Sequence, residues 1–373
     1  MPKVFQLSNN TMKDKRLKIL FILPSLKAGG AERIISFVST SIDKTKFHSI
    51  LLVLGNIEDA VYPIDGIEVH YLSKKRLLHS IREIFGFIRS QKPQVVVGSI
   101  AHVNRVLSVF RFIFRKVIFI GREASVDLII AKYTNKNRVK YWKLYKNYYR
   151  NLHYVICQSD DMADDLVNRY NLSEEKIVLI NNPISVDIPM KSNTEQSNDV
   201  KRFITIGRFN LEKGHDRILR TISKLNIPFH YTLIGDGPEK QNIFDLAEEL
   251  QMRDKISHIP YTDDVGKYLA QNDLFLQGSF VEGFPNTALE SCVVGTPVVA
   301  FKCMGGTREI IENDINGYIA NDTEAYLQCI KKALNKDWDP SKVRHSVMRK
   351  FSKEIILPQY EDFFQGLREK HNI

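Results

Sequence analysis

"LKILFILPSLKAGGAERIISFVSTSI", residues 17–42, sets a near-unbroken apolar run against a helical stretch, with a Gly-Gly pair at the join. An apolar run of this kind reads as a strand buried on both faces, and a strand that feeds directly into a helix is half of a βαβ unit. The same unit recurs along the chain. After it come "HSILLVL" (48–54), "GIEVHYL" (66–72), a helix near 77–90, "QVVVGSI" (94–100), a helix near 103–115, "VIFIGR" (117–122), "YVICQS" (154–159) and "KIVLINN" (176–182). This rhythm predicts an α/β fold with a parallel sheet. Between residues 182 and 202 two prolines and a polar stretch without periodicity interrupt it, and a linker is placed there. The alternation restarts with "RFITIGR" (202–208) and runs through "YTLIGDG", "KISHIPY", "LFLQGS" and "PVVAFK", with helices near 215–226, 239–252, 264–271 and 287–295.

Two runs of βα units predict two doubly wound, Rossmann-like domains that face each other across a cleft. Their expected bounds are 1–187 and 188–350, with 351–373 a terminal helix that crosses back to the first domain. A length of 373 residues suits two cores better than one. Ligands of such sheets bind beyond the carboxyl ends of the strands, so the cleft is the expected site. No apolar run is long enough to span a bilayer, and residues 1–16 lack the apolar core of a secretory signal, which points to the cytoplasm. The four cysteines lie far apart without metal-type spacing and are expected to be reduced and mostly structural.

Charge is uneven. The net +10 comes wholly from residues 1–187, which hold 29 Lys and Arg against 17 Asp and Glu. Within them, residues 132–150, "KYTNKNRVKYWKLYKNYYR", carry seven cations, six aromatics and no acid. A helix of that composition suits a lipid headgroup layer, and a solvated basic face with its aromatics turned inward is the alternative. "KKRLLHSIREIFGFIRS" (74–90) and "VFRFIFRKV" (109–117) repeat the theme. No nucleic-acid-binding module is evident.

Three strand-to-helix junctions carry chemistry. In "PSLKAGGAER" (24–33), Gly29 and Gly30 permit close approach to a helix N-terminus, where a phosphate or sugar can sit; a plain tight turn explains them equally. The third glycine of a dinucleotide fingerprint is missing. In "GRFNLEKGHDR" (207–217), Arg208 and Lys213 follow Gly207 on a strand-end loop and can converge on one pyrophosphate, or be solvated surface charges. "LIGDGPE" (233–239) adds Gly235 and Asp236 in a tight turn. "VEGFPNTALESCVVGTPVV" (281–299) leaves Glu282 in a loop, carries Gly283, Phe284, Pro285 and Asn286 to a helix start with Thr287 as cap, and places Glu290 about one turn in. Acids near a helix N-terminus also complement its dipole, which accounts for Glu290 better than for Glu282. "MGGTREIIE" (304–312) makes Glu309 a lesser candidate.

These motifs, in this order and at these junctions, resemble the retaining glycosyltransferases of family 4, which have the GT-B fold; the likeness covers residues 17–335 or so. The resemblance implies a nucleotide-diphosphate sugar, with uracil the favoured base, held mainly by the second domain. Arg208 and Lys213 would contact the diphosphate in place of a metal, so neither a metal nor another cofactor is expected. Glu290 would hold the ribose, Glu282 the transferred sugar, and the amides of Gly283 to Asn286 its hydroxyls or the phosphate. Gly29 and Gly30 would close on the diphosphate from the other domain. Many relatives carry Glu-His where "GREAS" (121–125) stands here, so Arg122 and Glu123 become candidate sugar or acceptor contacts, with His102 and Asn104 nearby as contacts or structural residues. The implied acceptor is a glycan, lipid-linked or a lipopolysaccharide or capsule precursor, met by a peripheral enzyme at the inner membrane face. An epimerase of the same fold, or a non-catalytic nucleotide-sugar-binding subunit, is the competing reading.

Overall fold

The computed structural model describes residues 15–62, 64–74, 77–123, 148–192 and 199–373. The basic segment 132–147 and the first fourteen residues lie outside them. Two parallel sheets dominate the fold, and each is covered by helices on both faces. The first has seven strands in the order β3-β2-β1-β4-β5-β6-β7, where β1 is Leu17–Leu23, β2 Phe47–Val53, β3 Glu68–Tyr71, β4 Val95–Ser99, β5 Ile118–Arg122, β6 Tyr154–Cys157 and β7 Ile177–Leu179. The second has six in the order β10-β9-β8-β11-β12-β13, where β8 is Lys201–Ile206, β9 Phe229–Ile234, β10 Ile256–Ile259, β11 Leu274–Gln277, β12 Val298–Phe301 and β13 Gly317–Ala320. Together these make the α/β GT-B fold.

The central strands are apolar because both faces are covered: every residue of β4, β5 and β11 is buried. Strand order reverses between β1 and β4 in the first sheet and between β8 and β11 in the second. At such a reversal the outgoing connections diverge to opposite faces and leave a crevice at the carboxyl ends. The Gly29-Gly30 turn follows β1, the loop of Arg208 and Lys213 follows β8, and the loop of Glu282 follows β11. The fold therefore delivers all three junctions to its two switch points.

Two features refine the sequence expectations. The stretch expected as a linker is only partly one: Ile184 and Ile188 are buried in a core cluster of the second domain. The Ile184 amide also donates to the Phe351 carbonyl at 2.7 Å and that of Lys191 to Val294 at 2.9 Å. These apolar side chains sit two or more residues apart among prolines, a spacing that local pattern reading discards. The final helix, Lys353–His371, packs Ile356, Tyr360, Phe364 and Leu367 into the first domain's core, with Phe364 edge-on to Phe21 and Phe47.

Candidate active site

Two helices meet end to end across the cleft. Gly30–Ser41 begins in the first domain and Asn286–Val294 in the second, and no side chain caps either N-terminus. Each therefore leaves first-turn amides and a positive dipole end at the junction. Residues three and four apart share a helix face, so Gly30 and Arg33 line one side and Asn286 and Glu290 the other. They pair in register. A Cβ on Gly30 would stand 3.0 Å from Asn286 Nδ2, so glycine is what allows this approach. One turn further in, Arg33 forms an ion pair with Glu290.

Glu290 is buried, and its pKa is raised by that burial, with Arg33 opposing the shift only in part. Glu32, in the same first turn as Arg33, is likewise raised by burial and lies within the fields of Arg208 and Arg122. Tyr62 braces the Gly-Gly turn, accepting from the Gly29 amide at 2.8 Å and donating to its carbonyl at 3.1 Å.

Behind this junction, Lys213 Nζ lies 2.7 Å from Glu282 Oε1, which also accepts from Ser279 Oγ at 2.5 Å. Gly207, Lys213, His215, Gln277, Glu282 and Thr287 line a small pocket there. The loops that carry the pair are tied together: Gly214 has φ 60°, and a Cβ on it would overlap the Gly278 carbonyl. Arg217 donates to the Gly278 and Ser279 carbonyls while stacked 3.9 Å from the centres of both Phe280 and Phe301. His215 beneath is buried, which drives its pKa down to about 3 and keeps it neutral. Arg208 is exposed at the mouth of the cleft.

The remaining sequence candidates separate. Phe284 is buried against Phe351 and anchors the turn from below, with Gly283 and Pro285 also buried. Thr287 does not cap the helix: Pro285 occupies the cap position and the helix starts at Asn286. A proline φ fits a helix start, so the boundary falls two residues before the hydroxyl that composition suggests. Gly235 has φ 141°, and the exposed Asp236 accepts from the Gly237 amide at 2.7 Å and pairs with Lys240 at 3.4 Å. Arg122 and Glu123, at the end of β5, are both buried. The carboxylate of Glu123 accepts from Tyr149, so the aromatic end of the basic segment turns into the core at this point. Asn104 is buried and holds the Arg122 carbonyl at 3.1 Å, while His102 is exposed at the start of the Ala101–Ile113 helix. That helix is preceded by Ile100 at φ 76°, a strained conformation for a β-branched residue, beside the β1/β4 switch point. Glu309 bridges the domains, accepting from the Asp160 amide at 2.9 Å and from Asn181 at 2.5 Å.

Arg33, Asn182 and Ser279 do not stand out in the sequence. Helical spacing from Gly30 carries a signal for Arg33, whereas Asn182 sits in the expected linker. Among the described residues, no three His, Cys, Asp or Glu side chains cluster as metal ligands, and no helix is long and apolar enough to cross a membrane.

Facing switch points with an uncapped helix end from each side define a two-domain architecture whose cleft favours an anionic ligand. The second half, residues 188–351, matches the model described as glycosyl transferases group 1, and residues 28–188 match the glycosyltransferase family 4 model. The chain belongs to the family 4-type glycosyltransferases. A Campylobacter jejuni relative is 23% identical over 334 residues, 86% of this chain and 91% of that protein: N-acetylgalactosamine-N,N'-diacetylbacillosaminyl-diphospho-undecaprenol 4-alpha-N-acetylgalactosaminyltransferase. The lipopolysaccharide core biosynthesis glycosyltransferase LpsE of Rhizobium meliloti is 24% identical over 225 residues, 57% of this chain and 64% of its own length. Among solved structures, Anabaena HepE in complex with UDP and glucose superposes with a TM-score of 0.76 at 17% identity, over 94% of this chain and all of the other. The lipopolysaccharide outer core galactosyltransferase WaaB, in its apo form, does so at 0.74 and 17% over the same shares.

Proposed function

We propose that this chain is a retaining glycosyltransferase that moves a hexose or N-acetylhexosamine from a UDP-linked donor to a lipid-linked or lipopolysaccharide-type glycan, without a metal. The observation that carries this reading is the convergence of the Lys213–Glu282 pair, Glu290 and two uncapped helix ends on one cleft. The diphosphate takes the positive end between the helices, with Arg208 and Lys213 drawn to it. Glu290 accepts the ribose hydroxyls and Glu282 faces the transferred sugar. Charge grows on the leaving diphosphate as the bond from the anomeric carbon to the β-phosphate oxygen breaks, and cations already aimed there lower the barrier. The acceptor oxygen bonds to that carbon from the same face, and its proton passes to the departing phosphate.

The names of the relatives support the acceptor class, since one acts on a diphospho-undecaprenol-linked glycan and another in lipopolysaccharide core synthesis. The complex of HepE with UDP and glucose supports a UDP-sugar. Membrane contact is supported by Val109, Phe112 and Ile113, which stand 58%, 62% and 56% exposed beside Arg111, Arg115 and Lys116. Apolar side chains interleaved with cations fit an anionic lipid surface at the inner membrane face.

The test is a panel of UDP-glucose, UDP-galactose and their N-acetyl forms, read first as protection against thermal unfolding and then as sugar transfer to a lipid-linked acceptor. Lys213→Ala is expected to abolish transfer with the fold intact; a folded variant at the parent rate overturns the assignment. Conversion of a UDP-sugar to its epimer without acceptor favours the epimerase reading. Flotation with anionic against neutral liposomes tests the surface, and equal failure to bind both removes that part.

A further inference from the structure

Arg122 is the largest fully buried polar side chain of the first domain, at 0% exposure, and its Nε and Nη1 have no hydrogen-bond partner among the described residues. Its Nη2 donates to Asn182 Oδ1 at 2.6 Å, and Asn182 Nδ2 donates to Asn286 Oδ1 at 2.9 Å. Asn286 Nδ2 is then the group that faces Gly30. A guanidinium has five donors and no acceptor, whereas an amide can turn either end to a neighbour. The first bond of this chain therefore has one polarity only, and each later bond inherits it. Asn182 must offer oxygen to Arg122, so it offers N–H to Asn286, and Asn286 must answer with oxygen and leave its NH2 for the cleft.

We propose that Arg122 is a positioning residue that, through Asn182, holds the Asn286 amide with its NH2 turned to the β-phosphate of a bound nucleoside diphosphate. Reversed, the same amide would present a carbonyl oxygen to an anion, between two helix ends whose free amides favour negative charge. Two features keep the relay in place. Asn182 is buried and precedes Pro183, which restricts its backbone to extended conformations. The Arg122 carbonyl is held by Asn104, so the strand end that carries the guanidinium is fixed as well. The relay also joins the two domains: β5 belongs to the first sheet and Asn286 opens a helix of the second. The proposal rests on the nucleotide-sugar reading of the cleft, and its test separates the two.

Binding of UDP and of UMP is measured by calorimetry on the full chain for the wild type, Asn182→Ala and Asn182→Asp. With Asp, a carboxylate still accepts from Arg122 but cannot donate, so Asn286 turns its own NH2 back and shows oxygen to the phosphate. UDP affinity is expected to fall severalfold in the Ala variant and tenfold or more in the Asp variant, the scale of one lost bond to a charged group. UMP, which lacks the β-phosphate, is expected to bind all three alike. In an Asn286→Ala background neither change at 182 should weaken UDP further, because the relay has no end group left to orient. Arg122→Gln, which removes the donor-only origin, should likewise weaken UDP only while Asn286 is present. Losses that add to that of Asn286→Ala, equal weakening of UMP, or UDP affinity unchanged in the Asp variant each overturn the relay. In all three cases a wild type that binds UDP leaves the functional reading standing. A wild type that binds no UDP overturns both.

Discussion

Replacing Glu290 by Gln should cost little stability and most of the nucleotide affinity, which is the reverse of what a buried ion pair suggests at first sight. Opposite charges in contact attract by about 5 kcal/mol at an effective dielectric near 20. Against this stands the removal of the carboxylate from water, and the raised pKa of Glu290 states the balance: burial outweighs Arg33. The charged form is thus held at a cost that the neutral, isosteric Gln does not bear. What Gln leaves behind is Arg33, whose side chain is 22% exposed and so keeps part of its hydration. Glu290→Gln is therefore expected to change unfolding free energy by about 1 kcal/mol or less, since it removes the desolvated charge and the charge left behind is the partly hydrated one. Arg33→Met should behave differently, since it strands a buried carboxylate at a cost of about 3–5 kcal/mol at pH 7. That cost should shrink as pH falls, because a carboxyl with a raised folded pKa is destabilising only when ionised. Denaturant unfolding of both variants across pH 5–8 reads the asymmetry. For UDP, loss of a charged acceptor to the ribose should weaken binding about tenfold to a hundredfold in Glu290→Gln. A variant destabilised by several kcal/mol that binds UDP as the parent does would refute the reasoning.

The loop before Glu282 depends on Arg217, so Arg217→Lys, which keeps the charge but loses the planar fork and the stacking, should lower transfer at least tenfold and destabilise by about 1–2 kcal/mol. Transfer kinetics with thermal melts check it. His215, neutral down to about pH 3 in the fold but protonated near 6.5 when unfolded, makes the unfolded state bind the extra proton between these values. Stability should therefore fall as pH drops from 6.5 towards 3, and His215→Leu should flatten that slope by up to about 1.4 kcal/mol per pH unit in acid unfolding curves. Phe364→Ala should cost about 3–5 kcal/mol and release the terminal helix from the first domain, seen as new protease sensitivity within 353–371.

The βα alternation and the glycine-bearing junctions were legible because they are local: apolar runs, helical spacing and turn residues act within a few positions of each other. The two sheets followed from them directly, and the resemblance that the motifs carry pointed to the GT-B architecture and the family. Even Glu282, Glu290, Lys213 and the Gly29-Gly30 turn could be named as candidates, since each lies at a strand-to-helix junction and such junctions collect at one edge of a parallel sheet. Pairing was not legible. Arg33 and Glu290 lie 257 residues apart, and Asn182 and Asn286 lie 104 apart. Nothing in a local pattern states which helix end will face which. The same holds for Ile184 and Ile188, which read as linker until the second core receives them, and for Thr287, displaced from its cap by Pro285. Sequence alone determined which groups reach the cleft, because parallel strands all present their carboxyl ends at the same edge. Tertiary structure alone decided how those groups are partnered, burying Glu290 against Arg33 and turning the amides of Asn182 and Asn286. Burial and hydrogen-bond polarity are set by what packs from the other domain.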